Sequence, residues 1–334
     1  VIPTGTGDAP CHHGEILQGV FLDDDGRRCP GLVTLPMAGP GSRAEFVRRP
    51  GTAPDALTAV PADRTKAVRA AALAVAECAE RTGQPPCGGE LRLTGDVPVG
   101  LGMGSSTSDV IATVRAVADS YGLRLAPDTV ARLAVHAELA CDPLMLDGRP
   151  VLFAQREGRV LEVLGAAMPP LVVVGCALGG GAPVDTLSLP VREASEADVR
   201  AFERLRTLLR RAVATADARL LGEVATASAR RGRRALGHPE FDALTGIARR
   251  AGAVGVQIAH SGSVAGVLFD PAAPGLRHRL RSCLRALDAH GIPATRTFTT
   301  FTTTQETLHG PAHRGGGRPS GPDTPRRPAR LPAL

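Results

Sequence analysis

Gly95-Asp96-Val97-Pro98-Val99-Gly100-Leu101-Gly102-Met103-Gly104-Ser105-Ser106-Thr107-Ser108-Asp109 sets three glycines and two serines within the seven residues from Gly100 to Ser106, directly ahead of an apolar run. In that run Val110, Val114, Val117 and Tyr121 recur every three or four residues, and Ile111 and Ala118 widen the stripe, which is helical spacing. A strand candidate, Glu90 to Thr94, precedes it. The predicted order is strand, glycine-rich turn, helix. Such a turn aims backbone N–H groups and the positive end of the helix dipole at one point, where an anion is favoured. Two familiar phosphate motifs fail here: a P-loop requires Gly-Lys-Ser/Thr and no lysine is present, while Pro98 and Ser105 break the dinucleotide fingerprint. What remains is Pro-x-x-x-Gly-x-Gly-Ser-Ser from Pro98 to Ser106. The bland alternative is a tight connection in which Ser105 and Ser106 only cap the helix.

With 334 residues, 43% hydrophobic and 22% charged, the chain has room for two modest domains with proper cores. No apolar run approaches the roughly 20 residues of a membrane helix, so no membrane partner is expected. Val1 to Gly5 lacks the basic and apolar regions of a signal peptide. Seven scattered cysteines without a Cys-x-x-Cys pair predict reduced thiols and a cytoplasmic protein. A net charge of +6 invites a nucleic-acid reading, but +4 of it lies beyond Gly310 in a Pro-, Gly- and Arg-rich stretch. That stretch is expected to be a disordered, solvated tail. Aromatics at 3% are too few for base stacking, so no nucleic acid is expected. Lys66 is the single lysine, and nothing in its setting assigns it a function.

Along the chain, Gly7 to Phe21 reads as a turn leading into a short strand, with His12 and His13 on opposite faces and therefore unsuited to one ion. Strands are expected at 32–36 and 42–47, a helix from Pro61 to Arg81, and another from Ala126-Pro127-Asp128 carrying Glu138. A hairpin at 150–163 turns at Glu157-Gly158. The second half reads β-α-α-α-β-β-α-β: an apolar strand at 171–176, helices from Ser195 and over about 217–235 and 239–251, strands at 254–258 and 264–269, a helix at 276–290 and a last strand at 294–304. That order predicts a sandwich with helices on one sheet face.

Three stretches, at 9–19, 98–109 and 255–266, resemble in order the three motifs of the GHMP small-molecule kinases. More narrowly, Ala9-Pro10-x-x-x-Gly14-Glu15-x-x-Gln18-Gly19, Gly102 to Asp109 and His260-Ser261-Gly262-Ser263 are similar to the L-threonine kinases of cobalamin side-chain assembly. The resemblance departs at His12 and His13, where that group usually carries Ser and Cys. It implies an α+β, two-domain GHMP kinase fold: a ribosomal-S5-like N-terminal domain over 1–165, a ferredoxin-like C-terminal domain over 166–305, and the tail at 306–334. It implies ATP and Mg2+ as cofactors and a small hydroxy amino acid, L-threonine first, as acceptor. The nucleotide would be held by Pro98, Gly100, Leu101, Gly102, Met103, Gly104, Ser105, Ser106 and Thr107, and the metal by Ser106 and Glu138. Asp142 would be the acid beside the acceptor hydroxyl, with Asp147 in reserve. Glu138 and Asp142 share a face if the helix continues that far, although Pro143 argues that it stops. Acceptor-binding candidates are His13, Gly14, Glu15, Asp185, Ser261, Gly262 and Ser263. Homoserine or a specialised alcohol as acceptor, and a non-catalytic ligand sensor of the same fold, stand as alternatives; a homodimer is an open expectation.

Overall fold

A computed structural model describes residues 4–95, 103–179, 194–236, 239–259 and 262–300, all within one compact unit, Val1–Phe301. The expected tail lies outside these residues, as do Pro98 to Gly102, Asp185 and Ser261.

The first half is built on β1 (Thr4–Leu22) and β2 (Arg28–Arg48), antiparallel partners far longer than the short strands expected. Pro36 and the Gly39-Pro40-Gly41 run read as breakers, yet they fall where the register slips between Pro10↔Gly41 and His12↔Pro36. A bulge absorbs residues that cannot keep a regular ladder, and the strand continues through it. Beyond the bulge β2 pairs β4 (Gly89–Gly95), which also takes the short parallel strand β3 (Leu57–Val60). Near its start β2 meets the β5–β6 hairpin (Val151–Ala154, Arg159–Val163). The sheet's helices are α1 (Thr65–Thr82), α2 (Ser105–Ser120) and α3 (Pro127–Glu138). α1 offers a close-packing alanine face, Ala67, Ala70, Ala71, Ala74 and Ala79. α2 is buried nearly all round, its polar first turn included, as expected of a helix enclosed by other elements.

The second half follows the expected order: β7 (Val172–Ala177), α4 (Glu196–Ala214), α5 (Ala218–Leu236), α6 (Phe241–Ala251), β8 (Gly255–Ile258), β9 (Val264–Phe269), α7 (Leu276–Ala289) and β10 (Ala294–Thr299). Its antiparallel sheet runs β10-β7-β9-β8. Helices on one face alone is an expectation the structure corrects. Val172, Val174 and Cys176 pack with Phe241 and Leu244 of α6 and Cys283 and Leu287 of α7. Val173 and Leu268 pack on the other side with Ile16 and Leu17 of β1, Leu205 and Leu209 of α4 and Leu221 of α5. Uninterrupted apolar strands signal burial on both faces. The seam against β1 places the Gly14 backbone beside Ala259, at the foot of the β8–β9 turn.

Candidate active site

The chain enters α2 through Gly104, the residue before the first helical turn, at φ +66°. Only glycine adopts that conformation freely, and a Cβ here would lie 2.2 Å from Cδ2 of His12. Because Gly104 occupies the cap position with no side-chain cap bond, capping does not explain Ser105 and Ser106. The Ser106 hydroxyl instead donates to Glu138 Oε2 at 3.0 Å, and Thr107 donates to Glu138 Oε1 at 2.7 Å. Thr107, expected among the nucleotide contacts, thus spends its hydroxyl on carboxylates, Asp142 Oδ2 at 3.4 Å being the second. The last two residues of the motif are structural. Ser108 Oγ donates to Ala9 O and accepts from Ser42 N, while Asp109 takes Ser42 Oγ at 2.5 Å and Arg64 Nε at 3.2 Å. Met103 sends its side chain into the core and its carbonyl to His12 N.

Glu138 is the last residue of α3; Leu139 turns left-handed at φ 69° and ends the helix there. The two acids therefore do not share a helical face, yet Asp142 returns to the site from the segment after that turn and meets Thr107. Burial pushes the Glu138 carboxyl up to about 7, against the Thr107 hydrogen bond and the charge of Lys66. Lys66 Nζ lies 3.8 Å from Glu138 Oε2. The single lysine therefore stands beside the candidate metal carboxylate, a placement its sequence neighbours did not signal. Asp147, the reserve acid, is exposed and paired with Arg115 at 2.9 Å, so the structure sets it aside.

His12 reaches Asp142 Oδ2 with Nε2 at 2.9 Å and Gly14 O with Nδ1 at 3.0 Å. Burial opposes charge on this ring, but the charge and hydrogen bond of Asp142, with the charge of Glu15, push it up to about 9. Glu15 is buried, and ligand atoms of His12, Glu15 and Asp142 lie within 4.8 Å of one another. His13 faces the other way, as strand alternation requires. Its Nδ1 lies 3.2 Å from Gln257 Oε1 of β8, and its ring is 4.9 Å from that of Phe298. Expected as an acceptor contact, His13 belongs instead to the seam between the two sheets. Burial drives it down to about 4, a neutral ring. Gly262, at φ +74°, and buried Ser263 form the β8–β9 turn.

Ser106, Thr107, Glu138, Asp142, His12, Glu15 and Lys66 thus converge from β1, α1, α2 and the end of α3. Of these, His12 and Lys66 escaped the sequence reading; the departure from the resemblance at position 12 was the available signal. The Ser106–Glu138 pair fits Mg2+, which prefers oxygen donors and a carboxylate: both donors are oxygens 3.0 Å apart, and the carboxylate is buried at a cost that a cation would offset.

Family models for the "GHMP kinases N terminal domain" and "GHMP kinases C terminal" match residues 66–143 and 208–286. The L-threonine kinase of Citrobacter freundii is 29% identical over 175 residues, 52% of this chain and 60% of that protein. The L-threonine kinase of Salmonella typhimurium is 28% identical over 179 residues, 52% of this chain and 57% of that protein. The chain therefore spans less than two thirds of the curated relatives it matches. Among solved structures, homoserine kinase from Cytophaga hutchinsonii superposes at a TM-score of 0.63 with 17% identity, covering 89% of this chain and 94% of that one. A mevalonate kinase of L. major in complex with R-mevalonate gives 0.57 at 17% identity, over 89% and 95%. At these identities the two structures speak for the fold alone.

Proposed function

Since this chain carries both the N- and C-terminal domains of the GHMP kinases, in the two-domain fold of that family, we propose that it is an ATP- and Mg2+-dependent kinase acting on the side-chain hydroxyl of a small amino acid, L-threonine first. The observation that carries the reading is the meeting of Ser106, Thr107, Glu138 and Asp142 at the N-terminus of α2. Phosphoryl transfer asks a protein mainly to hold the phosphates, meet their charge and orient the acceptor. First-turn amides of a helix lack partners within it, and at α2 they are the groups to receive phosphate oxygens. Bound Mg2+ would neutralise charge on the transferring group, with Ser106 and Glu138 as its protein ligands. Lys66, half-exposed beside Glu138, adds a second positive charge within reach of the same oxygens. Asp142 orients the acceptor hydroxyl, and Glu15 next to it is the group to take the acceptor's ammonium. Gly262, Ser263 and their neighbour Ser261 remain candidates for its carboxylate, and Asp185 for its ammonium.

The threonine kinase relatives favour threonine. His12, where that group usually carries Ser, keeps homoserine and related alcohols in the test panel. The two carboxylates and the serine count against a non-catalytic sensor. ATP consumption by the purified protein with Mg2+ should be strongest with L-threonine among threonine, serine and homoserine. Nucleotide binding without turnover on any of them would replace the kinase reading with the sensor.

A further inference from the structure

Resting on the reading of Asp142 as the acid beside the acceptor hydroxyl, we propose that His12 is its positioning residue, an imidazolium that fixes the Asp142 carboxylate against the first turn of α2. Both ring nitrogens are committed. Gly14 O can only accept, so Nδ1 carries a hydrogen; an ionised Asp142 Oδ2 also only accepts, so Nε2 carries another. A ring with two N–H groups is a cation. It is also a fixed one. The His12 amide is tied to Met103 O, and the ring edge lies directly under Gly104, leaving no space even for a methyl group on that residue. The His12 side chain is 2% exposed, whereas Asp142 is 20% exposed. The carboxylate is therefore gripped from the protein side and open on the other, where an acceptor would arrive.

The surrounding charges require a cation here. Glu15 shares the strand with His12, Asp142 comes from the segment after α3, and Glu138 stands beyond Thr107 with Lys66 from α1. Remove the imidazolium's charge and Glu15 and Asp142 lose the cation that both of them stabilise, a costly arrangement that Asp142, the more exposed of the His12–Asp142 pair, would relieve by turning outward. His13, the other nearby histidine, is neutral and lies on the opposite face. A carboxylate displaced by even an ångström misorients the hydroxyl, which is the kind of error that costs about a hundredfold in rate.

His12→Gln keeps an N–H donor of similar reach without the charge. In the full chain this variant should lose about a hundredfold in kcat while the KM for ATP and for the acceptor stays near wild type. The protonation state is read independently of activity and of the variant's folding. Ring-nitrogen NMR of the wild-type chain, purified with a chelator and recorded near neutral pH, should show His12 doubly protonated, and singly protonated in Asp142→Asn. A neutral His12 in the wild type would overturn the proposal. So would a fully active His12→Gln alongside an inactive Asp142→Asn. Loss of the Nε2 proton on adding Zn2+ or Mn2+ would assign His12, Glu15 and Asp142 to a metal and overturn it equally. Wild-type turnover in Asp142→Asn with His12 still doubly protonated in the wild type would instead refute the parent reading of Asp142.

Discussion

Glu138 holds its carboxylate in a place where burial penalises charge, with two hydroxyl donors and one ammonium to answer it. A group maintained at such a cost marks a functional site more often than a structural one. Ser106→Ala removes one proposed metal ligand without touching the core, and Asp142→Asn removes the acid beside the acceptor. Each should lower kcat by about a hundredfold or more. Ser106→Ala should keep its melting temperature near wild type, whereas Asp142→Asn, which takes the counterion from buried His12, should keep its circular dichroism spectrum and melt earlier. Near-normal turnover in either variant, measured with saturating ATP and threonine, would withdraw that residue's role. Gly104→Ala should do both kinds of damage. Its left-handed φ costs a residue with a Cβ roughly 1–2 kcal/mol, and the new methyl group would collide with the His12 ring. A thermal melt and a kinetic assay on the same preparation separate the two effects.

At the scale of elements, α2 serves as both core and site: its body is buried nearly all round and its first turn carries the proposed chemistry. The same economy governs α5 and β8, which touch through glycines. A Cβ on Gly255 would lie 2.1 Å from Gly222 O, and one on Gly222 would lie 2.3 Å from Val254 O. Gly255→Val therefore pushes the strand off the helix, and its cost should reach the upper end of the roughly 1–3 kcal/mol seen for overpacked cores, read as a lower denaturation midpoint. Ser195 opens α4 with a capping box that includes Asp198; Ser195→Ala should cost about 1 kcal/mol and leave the proposed ATP turnover unchanged. Element type was legible from spacing almost everywhere. Strand length was not, because Pro36 and Gly39 to Gly41 signal termination locally, and only pairing with β1 turns that signal into a bulge.

Over the whole molecule, β1 is a strand of the first sheet that packs against the second, and two neighbouring histidines on it respond to pH in opposite senses. His13 is lowered to about 4 from an ordinary value near 6.5, so the unfolded chain binds its proton first. Its contribution to stability is complete above about 6.5 and is lost as pH falls toward 4. His12 is raised to about 9, so its contribution is complete below about 6.5 and is lost as pH rises through 9. Stability from this pair should therefore peak near 6.5, with the acid limb flattened in His13→Gln and the alkaline limb in His12→Gln. Urea midpoints across that range check it; limbs unchanged by either substitution would contradict the assignment. Among the described residues no helix is long and apolar enough to cross a membrane, and all seven cysteines are buried.

The sequence by itself determined the strand ahead of Gly100 and the helix from Ser105, the β-α-α-α-β-β-α-β order of the second half, and the three motifs that resemble one kinase family. These are local properties: periodicity, glycine placement and residue type survive without knowledge of distant contacts. Tertiary structure alone decided which face of β1 meets which partner. It sent His12 to Asp142, 130 residues away, and His13 to Gln257, 244 residues away. It brought Lys66 to Glu138 and removed Asp147 to Arg115. A side chain's charge and reach are written in the sequence, but the buried pairing that gives them a role exists only once the second sheet packs against β1 of the first.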